Sequence, residues 1–215
     1  MNHRYRTILY GFKRLATTEK RVGEKLARKA HRLNRYEKAI PGEMLHLDTK
    51  RLPLLRGEAA VQPREYLFVA IDDHSRTAFA DIFPDKTSYS AAMFLAESTR
   101  VLPFPVTGIY SDNGSEYRGH SDHPVVALCR ETGMSQAFTK VKHPWTNGKA
   151  ERFIKTLMTE WHGKTRSNHI SRAHRRRYLY AYVDWYNQTR VHQSLGTTPF
   201  GRLEAYLESV NNALT

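Results

Sequence analysis

One cysteine in 215 residues, Cys129, is too few for an intramolecular disulfide or a cysteine-built zinc site. His120 and His123 near it do not supply a zinc-ligand spacing either. No apolar run approaches the roughly 18 residues needed to span a bilayer. The opening MNHRYRTILYGFKRL lacks the apolar stretch and small-residue cleavage site of a secretory signal. These absences predict a chain of a reducing cytoplasm, with no membrane partner. Acids are also scarce: 21 Asp and Glu stand against 34 Lys and Arg, leaving +13 and a pI near 9.9.

The basic excess is clustered. Residues 1–40 carry 12 Lys and Arg against 3 acids, and KTRSNHISRAHRRR (164–177) carries six with no acid. Neither cluster has the broad apolar face of a membrane-binding helix. A polyanion is the expected partner, and nucleic acid is the commonest one.

Hydrophobic periodicity sets the order of elements. Val22, Leu26, Ala30 and Leu33 recur at helical spacing, and Pro41-Gly42 ends that pattern. MLHLDTK (44–50) alternates as a strand, with Leu45 and Leu47 on one face and His46 and Asp48 on the other. EYLFVAID (65–72) reads as a strand buried on both faces, and DDHSR turns it into a returning strand, TAFADIF (77–83). A helix over 87–100 follows, then a strand at 106–110, a helix at 124–133 stopped by Gly133, and a strand at 136–140. Helices over 149–162 and about 172–187 complete the pattern, the first capped by Thr146 or Asn147. The expectation is a mixed five-stranded sheet, an antiparallel meander plus parallel strands, flanked by helices. Residues 1–40 form a basic, partly helical segment, 41–165 the core, and 166–215 a basic helical extension.

Against the basic background, three acids fall at telling positions. Asp48 lies within the first strand, Asp112 just past the C-terminal end of another, where open α/β sheets collect ligands. Glu151 sits in the first turn of the 149–162 helix. Such a convergence is costly without a counter-ion, and a divalent cation favours full ionisation. Oxygen-only ligands suit Mg²⁺ or Mn²⁺, and two such ions can serve an in-line displacement at phosphorus. Asn113-Gly114 and Asn147-Gly148 flank the acids, and glycines there admit backbone or a DNA strand closely.

HLD (46–48), SDNGSEY (111–117) and HPWTNGKAERF (143–153) resemble the three acidic motifs of DDE transposases and retroviral-type integrases. The nearest likeness is to bacterial insertion-sequence transposases. YNQTRVHQSLGTTPF (186–200), RYEKAIPGEMLHLD (35–48) and IDDHSRTAF (71–79) are similar to segments of the same group, so the resemblance covers about 35–200. It implies an RNase H-like fold and a metal-binding catalytic triad of Asp48, Asp112 and Glu151. It also implies DNA contacts from Asn147, Lys149, Arg152 and Lys155, with helix capping as the competing role for Asn147.

The activity implied is cutting at insertion-sequence ends and strand transfer into target DNA by a homodimer or larger assembly in the bacterial cytoplasm, on the nucleoid. Two departures stand out. Thirty-eight residues separate Asp112 from Glu151, more than the family's usual spacing, with RGHSDHP (118–124) as the expected site of the surplus. Forty residues ahead of the core are short for the helix-turn-helix modules that recognise element ends. A truncated DNA-binding remnant and a nuclease of the same fold therefore stay open as alternatives.

Neighbouring residues carry blander expectations. Asp72 and Asp73 read as hairpin-turn formers remote from the acids, and Glu116 as within reach of the pocket but more simply solvent-exposed. His46 and His143 read as structural histidines or as residues facing the metal pocket. Tyr178, Tyr180, Tyr182, Trp185 and Tyr186 read as core packing by their helical spacing, with base stacking as the competing role, and Arg190 and His192 as braces for the tail.

Overall fold

The computed structural model describes residues 37–139, 147–163 and 170–214. The chain divides into two units, Met1–Glu37 and Lys38–Thr215, and the sheet with its flanking helices belongs to the second. The expected helix around Val22–Leu33, His143, the Thr146 cap and residues 164–169 of the second basic run lie outside the described residues.

Five strands form one sheet: β1 (Leu45–Arg51), β2 (Tyr66–Asp72), β3 (Ala78–Phe83), β4 (Gly108–Ser111) and β5 (Ser135–Phe138). Their order across the sheet is β3-β2-β1-β4-β5. β1, β2 and β3 pair antiparallel, while β4 joins β1 and β5 joins β4 in parallel. The parallel joins need crossovers, and the chain supplies α1 (Ser88–Val101) and α2 (Pro124–Thr132) for them. Gly133 ends α2 in the left-handed conformation, as the sequence predicts. α3 (Gly148–Thr156) runs on as a π-helical segment, Leu157–His162, and α4 (Arg172–Gln188) comes after it. α5 (Pro199–Leu214) is a further helix that periodicity alone does not single out; Thr198 starts it, its Oγ1 accepting the Gly201 N–H at 3.0 Å.

Alternation along β1 and β2 divides the core into two layers. Leu45, Leu47, Phe68 and Ala70 pack against Phe94 and Leu95 of α1 and Val125 and Cys129 of α2. Leu67, Val69 and Ile71 pack against Ala150, Phe153, Leu157 and Trp161 of the α3 segment, and Leu179, Val183 and Tyr186 of α4. β2 thus feeds both layers, as expected of a strand with two buried faces. That second layer fixes α3 on the face of β1 that carries His46 and Asp48.

Half of the second basic run pairs with acids of the core unit. Arg175 is 1% exposed, pairing with Glu65 and donating to the Pro53 carbonyl at 2.9 Å, while Arg172 reaches Glu58 at 2.6 Å and Arg176 pairs with Asp81. Composition could not distinguish such paired cations from a free surface stripe. The aromatic cluster divides likewise: Tyr186 is core and Tyr182 packs against it, whereas Tyr178, Tyr180 and Trp185 are exposed. Arg190 makes a two-pronged pair with Glu160, and the His192 ring stands edge-on to Tyr186, so both brace the tail.

Candidate active site

Register brings the two aspartates together. His46 of β1 pairs with Tyr110 of β4 in parallel, so Asp48 and Asp112 each lie two residues further along adjacent strands. Neighbouring strands run about 4.8 Å apart. Asp48 is half-buried, and Asp112 stands exposed where β4 has just ended. A part-buried tie links the two stretches: the Tyr117 hydroxyl and Thr49 Oγ1 share a 2.7 Å hydrogen bond. The Asp112 corner is pinned from its other side by Asn113, whose amide donates to the Thr139 carbonyl at 2.8 Å beside β5.

Glu151 arrives by a different route. Asn147, one turn before it, is 2% exposed and donates to the Leu47 carbonyl at 2.9 Å. That bond orients the amide so that Asn147 Oδ1 accepts from His46 Nδ1 at 3.1 Å. His46 Nε2 in turn donates to Asp73 Oδ1 at 2.6 Å. Both ring nitrogens of His46 are thus engaged, one by Asn147 and one by Asp73. Lys149 closes the circuit, its ammonium pairing with Asp73 Oδ1 and lying 3.1 Å from the Asp73 carbonyl oxygen. Asp73, His46, Asn147 and Lys149 together seat the start of α3 on β1.

These contacts revise several expectations. Asn147 carries no side-chain capping bond and is spent on β1, not turned to a phosphate. Lys149 is engaged by Asp73. Asp72 is a turn former, with its Oδ2 accepting the Ser75 N–H and hydroxyl, both at 2.7 Å. Asp73, the other half of that pair, is instead the buried hub of the α3 seat. His46 is the structural histidine of the two roles considered. Arg152 and Lys155 are exposed on α3 beside Glu151. Gly148 has open space where a Cβ would stand, so no neighbouring part of the chain requires glycine there. Gly114 is different: a Cβ would stand 2.4 Å from Glu116 Oε2 and 2.9 Å from Asp112 Oδ1, so the carboxylates fill that position.

Glu116 overturns the expectation of exposure. It is 2% exposed, and its Oε1 pairs with Lys86 at 3.1 Å. No periodicity marks it; the only hint is its place two residues after Gly114.

Electrostatics register the convergence. Burial, then repulsion from Asp112, Glu151 and Glu116, outweigh the Thr49 N–H bond and raise the Asp48 pKa to about 6. Asp73 moves the other way. Burial opposes its ionisation, but hydrogen bonds from His46, Lys149 and the Lys38 N–H prevail and hold it well below the ordinary carboxylate range. Among the described residues no three His, Cys, Asp or Glu side chains yet stand close enough to grip an ion. The donor set, carboxylate oxygen throughout and self-repelling, fits a hard divalent ion.

Residues 132–199 match the family model described as Integrase core domain. The chain is 28% identical over 189 residues to a putative integrase, ORF3, of Spiroplasma virus SpV1-C74, covering 80% of this chain and 50% of that protein. It is 29% identical over 92 residues to an uncharacterised protein of Caenorhabditis elegans, covering 43% of this chain and 7% of that one. The chain therefore spans half or less of these curated relatives. Among solved structures, a chain of the simian T-cell lymphotropic virus intasome superposes with a TM-score of 0.66 at 18% identity, over 77% of this chain and 55% of that one. The HTLV-2 integrase catalytic core, solved in complex with magnesium, gives 0.61 at 14%, over 77% and 98%. The BIV integrase core gives 0.58 at 19%, over 81% and 99%. At these identities the structural likeness shows the fold, the RNase H-like fold of the integrase core. The chain is thus similar to integrase catalytic cores in fold, and its residues 132–199 carry the integrase core match.

Proposed function

We propose that this chain is the catalytic core of an insertion-sequence transposase that cuts DNA at element ends and joins the freed 3′-hydroxyl to target DNA. Asp48, Asp112 and Glu151 are the residues that would hold Mg²⁺ or Mn²⁺. When bound, such ions supply activation of the attacking oxygen and charge stabilisation at the phosphorus. The protein's own work is positional. The β1–β4 register and the Asn147 bond to β1 support a reading in which Asp48, Asp112 and Glu151 serve one site. Arg152 and Lys155, exposed on α3 next to Glu151, would receive the DNA backbone. The relatives solved as intasomes and as dimeric or trimeric cores support a DNA-bound homo-oligomer here.

One observation carries the reading: the parallel register of His46 with Tyr110 puts Asp48 and Asp112, 64 residues apart in sequence, at neighbouring positions. Among the described residues no helix is long and apolar enough to cross a membrane. The test is incubation of the chain with labelled element-end DNA and plasmid in Mn²⁺, beside Asp112→Asn and Glu151→Gln. Joined products that vanish in both variants support the proposal. Cutting without joining identifies a nuclease of this fold, and binding without cutting a DNA-binding remnant.

A further inference from the structure

Glu116 is difficult to explain as part of the fold alone. It sits at the Asp112 corner, on the short stretch between β4 and α2, where a glutamate would normally reach into solvent. Instead it is 2% exposed. Lys86, from the loop between β3 and α1, meets its Oε1 at 3.1 Å. Its Oε2 is buried and has no hydrogen-bond partner among the described residues. A buried carboxylate oxygen without a donor is costly, and native structures rarely leave one unless something else satisfies it.

The direction of that oxygen shows what would satisfy it. Glu116 Oε2 and Asp112 Oδ1 lie 2.4 and 2.9 Å from the single point where Gly114 would carry a Cβ. The two oxygens are thus no further apart than those distances combined. Glu116 also repels Asp48, as Asp112 and Glu151 do. Lys86 neutralises one side of Glu116 and leaves the other facing the aspartates. A fold needing only the Lys86 pair could place it on the surface, where it would cost less; burying Glu116 between Gly114 and the acids serves a positive ligand.

We propose that Glu116 is a fourth carboxylate of the cation site, its Oε2 accepting a hydrogen bond from water in the hydration shell of a divalent ion held at Asp48 and Asp112. This rests on the proposed function and extends it. Mg²⁺ and Mn²⁺ keep part of their hydration shell, and those waters need acceptors. Carboxylates that orient a metal's ligands from the outer shell typically account for a 10–100-fold difference in affinity. Gly114 then has a specific purpose: it leaves the space in which Glu116 and Asp112 meet.

The test is Mn²⁺ binding to the full chain, measured by calorimetry and by the loss of the free-ion electron paramagnetic resonance signal. Thermal unfolding is recorded for every protein used. Glu116→Gln is expected to weaken Mn²⁺ binding about tenfold or more. Lys86→Met, which removes the neighbouring cation and keeps Glu116, is expected to bind Mn²⁺ at least as tightly as the parent. Asp112→Asn reports on the site itself. If Asp112→Asn loses binding while a folded Glu116→Gln matches the parent, the role of Glu116 is refuted and the triad stands. If Lys86→Met weakens binding as much as Glu116→Gln, the salt bridge is merely structural and the proposal falls. If Asp112→Asn binds like the parent, the proposed site itself is wrong.

Discussion

Replacing Asp73 with alanine should damage the protein more than any single change at the three acidic corners. Its side chain is only 2% exposed, and it accepts from His46 Nε2 at 2.6 Å, from the Lys38 N–H at 2.6 Å and from Lys149. Asp73→Ala strips His46, also buried, of its Nε2 acceptor and Lys149 of its carboxylate partner. Removing one partner of a buried ion pair costs about 3–5 kcal/mol. That is a large share of the roughly 5–15 kcal/mol that holds a typical domain together. With a urea m-value of about 2 kcal/mol/M, the midpoint should fall by about 2 M. Urea titration with fluorescence of the buried Trp161 as the probe would measure it.

The same contacts fix the pH dependence. Asp73 has a folded pKa below its unfolded value of about 3.9, so its contribution is present above that value and drains away as pH falls towards the folded one. The parent should therefore lose stability steeply below about pH 4, and Asp73→Asn should flatten that limb. A loss under about 1 kcal/mol for Asp73→Ala, with an unchanged acid limb, would refute the idea that this cluster seats α3.

Other perturbations separate scaffold from site. Gly114→Ala should leave the chain folded by circular dichroism but displace the Asp112 and Glu116 carboxylates, weakening Mn²⁺ binding in calorimetry. Gly148→Ala meets open space and should be neutral or stabilising by up to about 1 kcal/mol in urea, while strand joining falls if DNA passes over that point. Arg175→Ala should cost about 3–5 kcal/mol in the same assay, since it strips a buried cation from Glu65 and the Pro53 carbonyl. Arg152→Ala with Lys155→Ala should leave stability unchanged and reduce the slope of log affinity against log salt for duplex DNA by about 2.

The order of elements was legible because buried strands and amphipathic helices write their periods into the chain. Leu45 and Leu47 against His46 and Asp48, and the uninterrupted YLFVAID, placed β1 and β2 before any coordinates were needed. The Asn-Gly pairs located the corners. Side-chain partnership across the sheet was not legible. Asp72 and Asp73 look alike in sequence, yet one closes a hairpin and the other reaches across to His46 and Lys149. Glu116 carries no periodic mark, because its burial depends on Lys86 and on the missing Cβ of Gly114. Charge counting misled where Arg172, Arg175 and Arg176 found acids from β3 and the loop before β2. The fold thus comes from one-dimensional pattern, whereas the fine structure of the site depends on contacts between distant segments.

The central idea, that Asp48, Asp112 and Glu151 surround a divalent cation, is tested most directly by anomalous diffraction from crystals grown with Mn²⁺. A peak bounded by the three carboxylates, about 2.0–2.2 Å from oxygens of Asp48 and Asp112, is the expected result. Full Mn²⁺ occupancy elsewhere on the protein, with these three side chains empty-handed and apart, would contradict it.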